Sequence, residues 1–154
     1  MDLREFQPFG PSHWLAIAVT VAVGVWLLRW FRHPGTSAAA KLRMRRIMAA
    51  ILGTAVVMDP LLTGLRYADT PDLSWRLIRE NSLPLYLCDV VSLLLAWALV
   101  SGRQRLAEVG YFWALAGTTQ GLLTPTLYFD WKSPEYYAFF AQHGGAPVAA
   151  VVLV

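Results

Sequence analysis

The feature that most constrains this chain is its series of long apolar runs separated by charged segments. The first run covers residues 13–31 and carries no Asp, Glu, Lys or Arg before Arg29. About 20 helical residues, each rising about 1.5 Å, cross a hydrocarbon core of about 30 Å. The run is too long for the apolar part of a signal peptide, and no small-residue cleavage pattern follows it. It therefore predicts a first transmembrane helix.

The later runs extend this pattern along the chain. Further spans are predicted at residues 47–65, 83–100 and 109–129. A polar, aromatic loop is predicted at residues 130–142. A fifth run begins at Ala146 and reaches Val154 without the length to cross a bilayer. We therefore predict an all-α, polytopic transmembrane helix bundle with four full spans and the start of a fifth. The prediction is a single integral membrane domain over residues 1–154 that is incomplete at its C-terminus.

Composition narrows the possible partners. Charged residues make up 15% of the chain, against about 25% in a soluble domain. The basic residues flank apolar runs, so they indicate contact with membrane lipid rather than nucleic acid. A single cysteine excludes an intramolecular disulfide and any multi-cysteine metal site. No metal-ligand spacing or glycine-rich phosphate loop is present, so no cofactor is predicted, and the oligomeric state is left open.

Orientation follows from the positive-inside rule, because Lys and Arg are enriched on the cytoplasmic side of membrane spans. The side that contains the loops after the first and third spans holds Arg29, Arg32, Lys41, Arg43, Arg45, Arg46, Arg103 and Arg105. The opposite side holds Arg4, Arg66, Arg76, Arg79 and Lys132. The bias is strongest around the first loop, so we expect that loop in the cytoplasm and the N-terminus outside.

Several polar side chains lie inside the predicted spans or next to them. An ionisable group within a bilayer is costly and suggests a functional site. With the orientation above, one set of polar residues falls towards the outer leaflet: Asp59, Cys88, Asp89, Gln120, Thr124 and His143. Their shared depth predicts a site between the helices at that level. His13, at the outer end of the first span, is interpreted as an ordinary interface residue.

The only cysteine, Cys88, precedes Asp89 in the stretch SLPLYLCD at residues 82–89. Cys88 is either an inert small side chain or a nucleophile, which needs a base or positive charge to favour its thiolate. Asp89 opposes a thiolate unless it points elsewhere, and neighbouring helical residues diverge by about 100°. His143 is a candidate base in a nucleophile–base pair, or else an ordinary histidine of an interfacial loop.

The other polar residues also leave alternatives open. Asp59 is either a neutral acid bonded to carbonyls that Pro60 frees or a functional acid in a polar cavity. Gln120 must find partners away from water, and we predict that it pairs with Asp89 or His143.

One face of the fourth predicted span combines small and polar residues: Gly117, Gln120, Gly121 and Thr124. Two glycines four residues apart permit close helix approach. This face is therefore either a packing surface or one wall of the site.

Three ordered motifs carry a family resemblance: LPLYLCD at residues 83–89, FWALAGTTQGLLTP at 112–125 and FFAQHG at 139–144. Together they resemble the bacterial YwaF-type integral membrane proteins, which are similar to eukaryotic transmembrane protein 164, an acyltransferase of ether phospholipid metabolism. The resemblance implies a multi-pass protein of the bacterial plasma membrane with spans beyond those present here. Carried over by motif, it implies that Cys88 and His143 take part in acyl transfer.

The sequence therefore supports three hypotheses of function. In the first, a lipid-directed acyltransferase or hydrolase has Cys88 as nucleophile and His143 as general base. The residues that orient the base or bind the headgroup would be Asp59, Asp89, Gln120 and Thr124. In the second, a non-enzymatic carrier or transporter uses Asp59 and Asp89 for a cation or for protons. In the third, the chain is an accessory membrane subunit whose polar groups only specify helix packing.

Overall fold

The computed structural model describes residues 5–82 and 86–154. The first part of the third predicted span, residues 83–85, lies outside the described residues, as do residues 1–4. The helices are α1 Pro11–Arg32, α2 Ala38–Arg66, α3 Pro71–Leu77, α4 Leu87–Ser101, α5 Gln104–Trp113, α6 Thr119–Leu123 and α7 Pro134–Leu153. A π-helical turn, Ile78–Ser82, extends α3, and another, Ala114–Thr118, joins α5 to α6. The predicted all-α class is thus confirmed for the described residues.

Two of the described helices, α1 and α2, are long and apolar enough to cross a bilayer. α1 has 22 residues and α2 has 29. α4 is apolar but contains only 15 residues. Length and composition therefore support the first two predicted spans, and the third and fourth stay predictions.

α2 starts earlier than predicted. It begins at Ala38, where the Ser37 side chain accepts a hydrogen bond from the Ala40 N–H at 3.2 Å. The basic segment before residue 47 is therefore helical. As in the predicted span at residues 47–65, the helix continues through Pro60, and it ends at Arg66.

The end of the fourth predicted span is also different. Helical structure stops at Leu123 rather than near residue 129. Pro125 explains this end, because a proline disfavours the helical conformation in the residue before it.

The largest difference concerns α7. Residues up to 142 were predicted as a polar loop with the fifth apolar run starting at Ala146, but the helix begins at Pro134. Proline suits the first helical position, and Glu135 beside it is favourable at the positive end of the helix dipole. Tyr136 and Phe140, one turn apart, are buried with ring centroids 4.8 Å apart. Aromatic packing thus stabilises a segment whose polar composition suggested a loop.

α7 lies at the centre of the bundle and contacts α1, α2, α4 and α5. Its buried face is built from small side chains, among them Ala146 and Ala149, which are fully buried. They pack in one apolar core with Leu52 of α2 and Val91 and Leu95 of α4. Close van der Waals packing of these side chains holds α7 between the apolar helices, because within a bilayer removal from water does not drive helix association.

The close packing of α1 against α7 depends on Gly144. A Cβ atom at this position would lie 2.6 Å from Thr20 Oγ1. A glycine here lets the two helix backbones approach, as small residues do in membrane helix pairs.

The N-terminal segment closes over one end of the bundle. The Phe6 N–H donates to the Tyr128 carbonyl at 3.1 Å, next to an antiparallel bridge between Glu5 and Phe129. His13, interpreted from the sequence as an interface residue, is instead fully buried. Its Nδ1 accepts the Phe9 N–H at 2.9 Å, and its Nε2 lies 2.9 Å from the carbonyl of Leu122, at the end of α6.

Candidate functional site

A cavity of about 610 Å³ lies between α2, α4 and α7, and the segment 126–129 lines its remaining side. The polar and ionisable side chains that line it include Asp59, Arg66, Cys88, Asp89, Glu135, Gln142 and His143. Distant parts of the sequence thus meet here. The structure brings together four residues of the predicted set, namely Asp59, Cys88, Asp89 and His143.

Cys88 lies in the first turn of α4, where its thiol is half-buried and not in a disulfide. The helix places Cys88 and Asp89 so that both line the cavity. The Cys88 carbonyl accepts a hydrogen bond from Ser92 Oγ at 2.7 Å. This bond, made within α4, holds the backbone of Cys88 in place at the edge of the cavity.

Asp89 connects two helices through its two carboxylate oxygens. Oδ2 accepts the Tyr86 N–H at 3.2 Å and so caps the start of α4. Oδ1 accepts from Gln142 Nε2 at 2.6 Å, which joins α4 to α7. Gln120 was predicted to pair with Asp89 or His143, but the side chain that bonds to Asp89 is Gln142, and His143 bonds to the carbonyl of Phe139. Gln142 was missed, although its position next to His143 in the sequence was a signal.

His143 lies on α7 with 8% of its surface exposed. Its Nδ1 is 3.0 Å from the carbonyl oxygen of Phe139, one turn earlier. A carbonyl can only accept, so Nδ1 carries the hydrogen and Nε2 of the neutral ring has a free lone pair. The ring also stacks on Phe139 at 4.0 Å between centroids. The helix and its aromatic neighbour therefore fix both the tautomer and the plane of the imidazole.

Gly121 of α6 packs directly against this imidazole. A Cβ atom at residue 121 would lie 2.8 Å from His143 Nε2 and closer still to Cδ2. Any larger residue would have to displace the ring. Gly121 was predicted to belong to either a packing face or a wall of the site. It packs against His143, a residue of the candidate site, so both descriptions apply to it.

The remaining predicted residues occupy different surroundings. Asp59 is exposed on α2 and lines the cavity. Gln120 and Thr124 are exposed and do not line the cavity. The Thr124 hydroxyl donates to the Gln120 carbonyl at 2.9 Å, a local bond at the end of α6. These two residues are therefore not brought to the cavity.

An ion pair at the cavity was not expected from the sequence. Arg66, at the end of α2, pairs with Glu135 in the first turn of α7. The Arg66 guanidinium also lies 4.4 Å above the centre of the Phe129 ring. No local sequence pattern predicts this pair, because its members come from helices that meet only in the folded bundle.

A second cavity, of about 700 Å³, lies on another side of α7, against α1 and α2. Its walls are mainly apolar and include Val19, Val23 and Ile51. Gly144 borders this cavity, whereas the preceding residue, His143, borders the polar one. Among the described residues, no group of three or more His, Cys, Asp and Glu side chains is placed to hold a metal ion.

The fold and the cavity define a class, a helical membrane protein with a polar cavity between its helices. The chain belongs to the TMEM164 family, since residues 8–154 match the family's sequence profile. The match confirms the resemblance to transmembrane protein 164. No curated protein and no solved structure matches the chain.

Proposed function

We propose that this protein is a cysteine-dependent acyltransferase or hydrolase of membrane lipids. One observation carries the proposal: Cys88 of α4 and His143 of α7 border the same cavity, and the bond of His143 Nδ1 to the Phe139 carbonyl leaves Nε2 of the neutral ring as the basic nitrogen. A nucleophile and an oriented base that share one cavity are the groups that covalent catalysis requires. The proposal assigns Cys88 the role of nucleophile and His143 the role of general base.

The reaction proceeds in two steps on these groups. His143 Nε2 takes the Cys88 proton while the sulfur attacks an acyl ester carbonyl. The lysolipid alcohol then leaves with that proton, and the acyl group stays on Cys88 as a thioester. In the second step, His143 deprotonates an acceptor hydroxyl, which takes the acyl group and restores the thiol. Water in place of the acceptor gives hydrolysis.

Asp89 is a positioning residue in this scheme. Its carboxylate lines the same cavity as His143 and is held by Gln142 and by the start of α4. A nearby negative charge stabilises the imidazolium that forms while the histidine holds a proton. Asp59, exposed at the cavity, is placed to contact a polar headgroup. Gln120 and Thr124 have no part in the proposed chemistry.

The proposed setting is the outer leaflet of a bacterial plasma membrane, with the N-terminus outside. The distribution of Lys and Arg supports this orientation, and the motifs shared with the YwaF-type proteins support the bacterial branch. Four membrane spans within the chain belong to the same proposal.

The test is acyl transfer from a fluorescent phospholipid by the protein in nanodiscs. We expect Cys88→Ala and His143→Ala to lose turnover by at least 100-fold, since general base catalysis alone contributes about 10²–10⁴-fold. His33→Ala is the matched control, because His33 is exposed and does not line the cavity. Mass spectrometry should detect the acyl group on the only cysteine. Full turnover by Cys88→Ala would overturn the proposal.

A second candidate function rests on the two carboxylates of the cavity. Asp59 and Asp89 both line it, and intramembrane acids often carry protons or cations. In a carrier of this kind, Asp59→Asn would abolish transport across liposomes, whereas Cys88→Ala would be harmless. The acyltransferase proposal expects the opposite ranking of these two variants in the lipid assay.

A further inference from the structure

The ion pair between Arg66 and Glu135 joins the end of α2 to the start of α7 beside the cavity. Both side chains line the cavity that contains Cys88 and His143. Among the described residues that line it, Arg66 is the only Lys or Arg. Any anionic group that entered the cavity would therefore find its cationic partner in Arg66.

Arg66 is held in a form suited to binding an oxyanion. The carbon atom of its guanidinium lies 4.4 Å from the centre of the Phe129 ring, a cation–π contact that holds the side chain in place. A guanidinium presents five N–H donors in a planar fork that matches phosphate, and Arg is preferred over Lys wherever that geometry matters. About a third of the side chain, 34%, is exposed, so a ligand can reach it.

Glu135 uses only part of the hydrogen-bonding capacity of the Arg66 guanidinium. Only its Oε1 contacts Arg66, through one guanidinium nitrogen. Its Oε2 is buried and has no hydrogen-bond partner in the part of the chain that the structure describes. A bidentate pair would satisfy both oxygens. A phosphate can take more of the guanidinium donors than this carboxylate does.

We propose that Arg66 is the binding residue for the phosphate of a lipid headgroup, and that Glu135 occupies Arg66 until that phosphate displaces it. The inference rests on the proposed function, because it names the headgroup contact of the lipid that Cys88 would attack. It assigns opposite roles to the two residues, since Arg66 strengthens the binding of a phosphate-bearing lipid and Glu135 weakens it. A purely structural ion pair between α2 and α7 would have no such effects.

The test uses Cys88 as a reporter of cavity occupancy, since it is the only thiol of the chain. The protein in detergent is treated with N-ethylmaleimide, and labelling is followed by mass spectrometry. The probes are dihexanoyl phosphatidic acid, dihexanoylglycerol and inorganic phosphate. Mass spectrometry separates the free thiol from both the maleimide adduct and an acyl thioester, so the half-protecting concentration is taken from the free thiol and reports occupancy without turnover. A failure of the catalytic proposal and a failure of this one are therefore distinguishable.

The two partners of the ion pair should act in opposite directions. Arg66→Gln should raise the half-protecting concentration of phosphatidic acid at least tenfold, as expected for the loss of a charge-assisted hydrogen bond. Glu135→Gln frees the guanidinium and should lower that concentration. Arg66→Lys keeps the charge without the fork and should fall between wild type and Arg66→Gln. Dihexanoylglycerol should respond equally in all four proteins.

The outcomes that overturn the proposal are specific. If Glu135→Gln weakens protection by phosphatidic acid, or changes both lipids alike, the pair is structural. If inorganic phosphate protects as well as phosphatidic acid, with the same dependence on Arg66, the ligand is free phosphate rather than a lipid headgroup. If Arg66→Gln does not fold, the opposite shifts expected of Glu135→Gln and Arg66→Lys still decide the question.

Discussion

Replacing Gly121 with alanine tests whether the imidazole of His143 is held as tightly as the structure indicates. The added Cβ would lie 2.8 Å from His143 Nε2 and nearer to Cδ2. Because His143 is tied to the Phe139 carbonyl and stacked on the Phe139 ring, it cannot move without losing one of these contacts. Either the ring or helix α6 must shift.

The magnitude follows from two opposing effects. Overpacking a close-packed site costs about 1–3 kcal/mol. Alanine is favoured over glycine inside a helix by about 0.5–1 kcal/mol. The net expectation for Gly121→Ala is a loss of roughly 0.5–2 kcal/mol in the free energy of unfolding. If His143 is the general base, a shift of about 1 Å in its ring should also lower turnover by about 100-fold.

A matched control exists in α2. Gly53 is helical, and a Cβ atom there would meet nothing within 4 Å. Gly53→Ala should therefore stabilise the protein by about 0.5–1 kcal/mol and leave turnover unchanged. Both variants can be unfolded in mixed micelles with increasing denaturing detergent and followed by circular dichroism. Equal stabilisation of both variants would refute the close contact at Gly121.

Three further substitutions test other contacts in the same unfolding assay. Gln142→Leu removes the 2.6 Å bond to the Asp89 carboxylate, so we expect a loss of about 1.5–3 kcal/mol, and an unchanged stability would mean that the bond contributes nothing. Gly144→Ala places a Cβ 2.6 Å from Thr20 Oγ1, so it should separate α1 from α7 and lower the free energy of unfolding by about 1–3 kcal/mol. The rate of disulfide trapping between the two helices would report the same separation. His13→Ala empties a fully buried site and should lower the free energy of unfolding by about 3 kcal/mol or more. It should also speed amide exchange in the segment before α1, because His13 accepts the Phe9 N–H. Exchange as slow as in the wild type would show that His13 does not hold this segment.

Hydropathy predicts some parts of this fold well because the signal is local. α1 is apolar along its whole length, so its position follows from the residues it contains. α7 is different, since its first half mixes aromatic, acidic and amide side chains. Tyr136 and Phe140 are buried there by neighbours that are distant in sequence. A window of the sequence contains no information about those neighbours, so the helix was read as a loop.

The same reasoning applies to the candidate site. The unusual polar residues Asp59, Cys88, Asp89 and His143 could be selected from the sequence because polar groups in apolar runs are costly. Their partners could not be selected, because a hydrogen bond depends on which helix faces meet. Gln120 and Gln142 are chemically equal candidates for Asp89, and only the position of α7 decides between them.

The ion pair shows the limit of sequence reasoning in another way. Arg66 was counted among the charges that set orientation, which uses only its side of the membrane. Its pairing with Glu135 and its stacking on Phe129 depend on the end of α2 meeting the start of α7. Such contacts between helix ends have no periodic signature.

Helix α7 lies between a polar cavity and an apolar cavity. The two cavities are thus separated by the width of one helix, about 10 Å. The consecutive residues His143 and Gly144 border different cavities. A side chain at position 144 would press against Thr20 of α1. The small size of residue 144 therefore sets how closely α7 lies to α1, on the same helix that carries His143 to the polar cavity.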